Sequence, residues 1–152
     1  MAFTDKVNVL ERALLMAVAA HSGRTDKAGY PEILHPLSVL NSVRYESDEV
    51  KAAAILHDTV EDGLLPMMTV RESFPNRVAE LVDLLTRKVD PSGNKEPYEQ
   101  YVRRAAKDPD ARKIKRADVV ENLTRRSPDE LKGYLAKKYA TALKILDEHN
   151  TT

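Results

Sequence analysis

The sequence predicts an all-α fold, and three observations carry the prediction. Apolar residues recur at helical spacing along nearly the whole chain. No alternating apolar and polar pattern runs beyond a few residues. Prolines, glycines and capping residues cut the chain into segments of helix length. With 152 residues the chain can bury a core without disulfides. The expectation is one domain over residues 1–152, a compact bundle of about eight short helices.

Taken in order, Thr4 caps a first helix that runs to about His21, with Val7, Leu10, Leu14, Leu15 and Val18 as its inner stripe. Residues 22–34 hold two glycines and Pro31 and read as a loop. His35-Pro36 opens a second helix with proline in its first turn, and Leu37, Leu40 and Val43 face inward. Ser47 or Asp48 caps a third, whose Ala52-Ala53-Ala54-Ile55-Leu56 run implies burial on most sides. Thr69 to Glu72 has capping-box spacing for a short fourth helix. Pro75-Asn76 separates it from a fifth that carries Val78, Leu81, Val82 and Leu85. Pro91-Ser92-Gly93-Asn94 is the clearest flexible stretch. Beyond it come helices over about 97–107, 110–126 and 128–148, the last with Leu131, Leu135, Tyr139, Leu143 and Leu146 inside.

Composition removes several function classes. Twenty-four basic and twenty-four acidic residues cancel, which argues against a nucleic-acid or membrane surface but leaves room for a local patch that holds a phosphorylated small molecule. The basic residues between Arg103 and Arg126, Lys115 among them, read as solvated helix faces. With no cysteine, thiol catalysis and cysteine metal sites are excluded, and a metal must be held by His, Asp, Glu, Asn or water. The first residues lack a secretion signal, and no apolar run approaches membrane-spanning length. A soluble cytoplasmic protein is expected, of undetermined oligomeric state.

The run Ile55-Leu56-His57-Asp58-Thr59-Val60-Glu61-Asp62 carries the chemistry. It brings a histidine and three carboxylates directly after an apolar helical segment, with Glu61 and Asp62 one helical turn beyond His57 and Asp58. Such groups at a helix end can simply be solvated. Beside a buried segment, however, unpartnered charge is costly, so the cluster implies a cation or a strong hydrogen-bond network. His35 stands among Ile33, Leu34, Pro36 and Leu37, where a lone histidine is usually structural. Asp118 and Asn122 lie four residues apart on one helical face, a weak signal by itself.

A histidine, a His-Asp pair and a distant aspartate, each on its own helix, resemble the HD-domain metal phosphohydrolases. Closer still is the resemblance to the hydrolase domain of the RelA/SpoT group, which degrades guanosine tetraphosphate alarmones, and to its small stand-alone members. It spans about Ala20 to Arg125 and rests on Ala20-His21, Lys27-Ala28-Gly29, Ile33-Leu34-His35-Pro36-Leu37, Leu56 to Asp62, Phe74 to Val78, Leu85-Thr86 and Lys115-Arg116-Ala117-Asp118 with Asn122. The resemblance implies His35, His57, Asp58 and Asp118 as metal ligands. It implies Glu61 and Asp62 as the acids that orient water and handle protons. Lys27 and Asn122 match nucleotide-contacting positions, and Arg24 is a further candidate substrate contact. His21 matches a family histidine that is not a ligand, and His149 has no role.

Departures from the pattern bear on specificity. Asp26 stands where the alarmone hydrolases carry an arginine that stacks on guanine, Glu32 where they carry tyrosine, and Gly63 where they carry threonine. A carboxylate supplies neither cation–π attraction nor planar stacking, so weak base discrimination is expected. Two imidazoles and two carboxylates suit a mid-row divalent ion, and the resemblance favours manganese, with iron or zinc as further candidates. Three readings follow: a (p)ppGpp-type nucleotide 3′-pyrophosphohydrolase, an HD-family nucleotide or dinucleotide phosphomonoesterase, and a non-catalytic nucleotide-binding module.

Overall fold

The computed structural model describes residues 7–149, and within them the chain forms eight helices and no strand, only two isolated bridges. The all-α expectation holds. By contacts the chain divides into two compact units, Met1–Thr86 and Arg87–Thr152.

The first unit is built around its third helix. Its helices are α1 (Val9–His21), α2 (Leu34–Ser42), α3 (Asp48–Leu56), α4 (Met67–Ser73) and α5 (Asn76–Leu84). Ser47 caps α3 by accepting the Val50 N–H at 3.3 Å, and Asp48 and Glu49 place negative charge at its positive end. Ala52, Ala53, Ala54, Ile55 and Leu56 are fully buried, because α1, α2 and α5 all pack against this helix. Three consecutive alanines let neighbouring backbones approach closely.

The α1 stripe differs from expectation. Its buried line is Ala13, Ala17 and His21, at four-residue steps, whereas Leu15 and Val18 are nearly half exposed. Small residues fill the buried line, while Leu10, Leu14 and Met16 are half-buried. The expected cap Thr4 lies outside the described residues; Asn8 caps α1, accepting the Glu11 N–H at 2.8 Å. In α2, Val39 is the fully buried position, with Val43 also inside, while Leu37 and Leu40 are half-buried. The Thr69 capping box does not form. Pro66, in an extended conformation, precedes α4, so the helix begins two residues before Thr69. The expected Val78, Leu81 and Val82 of α5, and Leu85 directly after it, are all buried.

The second unit packs α6 (Tyr98–Ala106), α7 (Pro109–Arg125) and α8 (Tyr134–Glu148) against one another. Tyr101, Val102, Ala106, Val119, Tyr139, Ala142, Ile145 and Leu146 form its core. Asp108 caps α7 by accepting the Asp110 and Ala111 N–H groups, with Pro109 in the first turn. The last helix starts at Tyr134 rather than 128. Ser127 and Glu130 do form a reciprocal capping box, at 3.1 and 3.3 Å, but Gly133 at φ +60° interrupts the chain after one turn.

Two loops share one design. In residues 26–30 the Asp26 Oδ1 accepts the N–H groups of Ala28 and Tyr30 at 2.9 and 3.0 Å, and Gly29 takes φ +89°. In residues 90–94 the Asp90 Oδ1 accepts those of Ser92 and Asn94, both at 2.9 Å, and Gly93 takes φ +87°. In both, the aspartate's own N–H and C=O pair with the fifth and fourth residues, and a bridge closes the base, Thr25 to Pro31 and Val89 to Lys95. The stretch over Pro91–Asn94, expected to be flexible, is therefore an ordered turn held by an aspartate.

Candidate metal centre

The third helix ends beside the acidic cluster, and the His-Asp pair lies just past it rather than on its surface. α3 ends at Leu56, and residues 57–63 continue as successive turns. Side chains explain the stop. The His57 Nδ1–H donates to the Ala54 carbonyl at 2.6 Å and the Thr59 hydroxyl donates to the Leu56 carbonyl at 2.7 Å. The same two carbonyls accept backbone N–H groups three residues on, from His57 at 3.4 Å and Thr59 at 3.0 Å, so the last turn tightens and the α-helical ladder ends. Gly63, at φ +72°, lets the chain turn back so that the Leu64 and Leu65 N–H groups both reach the Thr59 carbonyl. The one-turn relation between Asp58 and Asp62 nonetheless survives as a single backbone bond, Asp62 N–H to Asp58 C=O at 2.9 Å.

This construction sets three donors together within the first unit. His35, the second residue of α2, and His57, just past the end of α3, are both buried, with ring centroids 5.4 Å apart and the rings edge-on. Asp58 Oδ2 lies 3.1 Å from His57 Nε2 and 3.4 Å from His35 Nε2. One donor atom from each of the three residues lies within 4.8 Å of the others.

The protonation pattern makes that arrangement informative. With the Nδ1 proton assigned by its bond to Ala54, a neutral His57 presents a lone pair at Nε2. Lone pair and carboxylate then face each other, which is repulsive unless a proton or a cation is shared between them. Two imidazole nitrogens on one carboxylate oxygen fit a mid-row divalent cation. The C-terminal end of α3, with its partial negative charge, adds to the same preference. The donor set thus suits the metal that the sequence implies.

The two acids stand close by. Glu61 and Asp62 are exposed on the turn that follows. Partial burial, then the negative charges of Asp58, Glu61 and Glu32, push the Asp62 carboxyl up from 3.8 to about 6, with His21 acting in the opposite direction. His21, Glu32 and Asp62 form a second group with donor atoms within 4.8 Å of one another. His21 is buried and its Nδ1 bonds the Ala17 carbonyl at 2.8 Å. Sequence reading named Glu32 only as a departure, whereas its carboxylate borders Asp62 and also binds Arg24 Nε at 3.0 Å.

The candidate substrate contacts sit on the loop before α2. Lys27 is exposed on the Asp26 turn, and Arg24 is held to Glu32 by both its side chain and its backbone. The Asp26 carboxylate is engaged with its own loop.

In the second unit, Asp118 lies on α7 and is 6% exposed. Lys115 Nζ meets its Oδ2 at 2.8 Å, and Asn122 Nδ2 meets its Oδ1 at 3.0 Å. Lys115 corrects the sequence reading, since it is buried rather than solvated. Its ammonium lies 4.8 Å from the Tyr101 ring centroid and 5.7 Å from that of Tyr98. Burial opposes its charge, but Asp118 and the two tyrosines outweigh it and hold the ammonium well above its ordinary value. The Lys-x-x-Asp spacing was the available signal. Arg104, Arg112 and Arg116 are also engaged, with Glu96, the Ala106 carbonyl and Asp147. His149 bonds the Ile145 carbonyl at 3.1 Å at the end of α8.

Residues 13–130, which run through both units, match the family model described as HD domain. Over 119 residues the chain is 34% identical to guanosine-3′,5′-bis(diphosphate) 3′-pyrophosphohydrolase of Aquifex aeolicus, covering 75% of this chain and 17% of that protein. Over 130 residues it is 32% identical to a probable GTP pyrophosphokinase of Mycobacterium leprae, covering 80% of this chain and 16% of that protein. The chain thus spans about a sixth of the length of these curated relatives. A solved structure of a metazoan ortholog of SpoT, described as hydrolysing ppGpp and playing a role in starvation responses, aligns with a TM-score of 0.76 and 25% identity, covering 100% of this chain and 90% of that one. Among the described residues no helix is long and apolar enough to cross a membrane.

Proposed function

The chain belongs to the HD domain family, and we propose that it is a metal-dependent hydrolase of phosphorylated nucleotides, acting as a (p)ppGpp-type 3′-pyrophosphohydrolase in the stringent response of the cytoplasm. The observation that carries this reading is the single Asp58 oxygen facing the Nε2 atoms of two buried histidines. Relatives named as 3′-pyrophosphohydrolases, and a structural neighbour described as hydrolysing ppGpp, support the substrate class. The reading treats the whole chain as one HD domain.

In this proposal His35, His57, Asp58 and Asp118 hold one divalent ion, manganese first, with iron or zinc as substitutes. When bound, such an ion polarises a phosphoryl oxygen and lowers the pKa of water. Glu61 and Asp62, one turn past Asp58, orient the attacking water and take its proton. Water adds to the phosphorus next to the ribose 3′ oxygen, that P–O bond breaks, the proton taken from the water passes to the departing 3′ oxygen to leave a hydroxyl, and pyrophosphate is released. Lys27 and Arg24 supply positive charge for the phosphates, and Asn122 approaches the sugar.

A second reading, an HD-family nucleotide or dinucleotide phosphomonoesterase, is favoured by one observation. Asp26 is occupied within its own turn, so nothing at that position stacks on a guanine. The manganese-loaded protein, assayed with guanosine and adenosine 3′,5′-bis(diphosphates) and with phosphomonoesters of nucleotides and dinucleotides, separates the two. Pyrophosphate release from the bis(diphosphates) supports the first reading. Orthophosphate release from the monoesters alone supports the second, and no release from any substrate refutes both.

A further inference from the structure

The C-terminal half of α7 holds a charge arrangement that the proposed function does not account for. Lys115, Asp118, Asn122 and Arg125 follow one another at three- and four-residue steps, so one helical face carries them all. Lys115 Nζ binds Asp118 Oδ2 at 2.8 Å, with both side chains over nine-tenths buried. Asn122 Nδ2 reaches Asp118 Oδ1 and the Asp118 backbone carbonyl, both at 3.0 Å. The Asn122 Oδ1 in turn accepts from Arg125 at 2.6 Å, which fixes which end of the amide faces the carboxylate. On the other side, the Lys115 ammonium is confined between Asp118 and the faces of Tyr101 and Tyr98 from α6.

These contacts fix the Asp118 carboxylate on both oxygens from within its own helix. A carboxylate on one torsion rotates readily, and a ligand that must adopt its binding rotamer pays that ordering at each binding event. Here the rotamer is set in advance. Each carboxylate oxygen has more than one acceptor position, so Oδ1 can accept the Asn122 amide and a cation together. Burying a lysine is unfavourable without a partner, and a surface lysine would serve stability at lower cost. Partners that orient a ligand in this way typically account for ~10–100-fold in metal affinity.

We propose that Lys115 and Asn122 are positioning residues that fix the Asp118 carboxylate for metal ligation, so that losing either weakens metal binding in the absence of any substrate. The proposal rests on Asp118 being a ligand, and it gives Asn122 a task apart from contact with the sugar.

The test titrates manganese chloride alone into metal-free wild type, Asp118→Ala, Lys115→Met and Asn122→Ala, with circular dichroism and thermal melts run alongside. In folded Lys115→Met and Asn122→Ala we expect manganese affinity to fall by ~10–100-fold. A residue that serves only folding shifts the melt without this loss, and one that touches only substrate shifts neither. If Lys115→Met does not fold, the half-buried Asn122→Ala decides. A folded Lys115→Met or Asn122→Ala chain with wild-type affinity, alongside a weakened Asp118→Ala, overturns the positioning role alone. Wild-type affinity in Asp118→Ala overturns the ligand assignment and the positioning role with it.

Discussion

Replacing Asp26 with alanine removes the acceptor for two backbone N–H groups, those of Ala28 at 2.9 Å and Tyr30 at 3.0 Å. The backbone pairs Asp26–Tyr30 and Gly29–Asp26, at 2.8 and 3.0 Å, remain, so the turn loosens rather than vanishes. At a net value of about 1 kcal/mol for each bond near the surface, Asp26→Ala costs about 2 kcal/mol. For a chain of this size that lowers Tm by ~4–8 °C. Asp26→Asn retains the accepting oxygen and stays near wild type. Asp26→Arg behaves like alanine, because arginine offers donors where the loop needs an acceptor. Urea unfolding of the three variants measures the difference, and proteolysis across residues 24–32 localises it. Equal stability of Asp26→Ala and wild type, or equal loss in Asp26→Asn and Asp26→Ala, would refute the strut role. Position 26 would then be open to a direct part in base recognition.

Two further outcomes follow from the acids of the two units. Glu61→Gln and Asp62→Asn retain metal and lose ~10²–10⁴-fold in kcat, measured by pyrophosphate release and metal analysis; if either loses the ion as readily as Asp58→Ala does, that residue is a ligand instead. Burial works against the Glu96 charge, but Arg104 at 2.6 Å and the Lys88 N–H at 2.8 Å outweigh it and hold the carboxyl below 4.5. A depressed carboxyl stabilises the fold above its unfolded pKa and ceases to as pH falls through the folded value. Acid unfolding below about pH 4.5 is therefore shallower in Glu96→Gln than in wild type, and identical acid limbs would contradict the assignment.

Much of the site was legible because its chemistry is local in sequence. His57 and Asp58 are adjacent and Asp62 is one turn on, so residue type and spacing pick them out, whereas His35, which alone reads as structural, stands out only through the family resemblance. That the His-Asp pair sits past α3 rather than on its surface was not legible, because it depends on side-chain bonds of His57 and Thr59 to the last-turn carbonyls, which helical periodicity does not detect. Lys115 was misread for a related reason. Hydropathy assigns a lysine to solvent, and its burial depends on Asp118 three residues on and on tyrosine faces from another helix. Leu15 and Val18 show the same limit from the apolar side: α1 packs on α3 with Ala13 and Ala17 buried and the two larger residues nearly half exposed, which a count of large apolar side chains does not detect. Asp26 was read against a family pattern as a missing arginine, while its twin at Asp90 shows the same side chain acting on a turn.

The most direct test of the central claim is the metal content of the purified chain after manganese loading and dialysis, compared across wild type, His35→Ala, His57→Ala and Asp58→Ala. The account predicts about one ion per chain in wild type and loss of that ion in each variant, because the two histidine Nε2 atoms converge on one Asp58 oxygen. Folded variants that retain the wild-type metal content would contradict it.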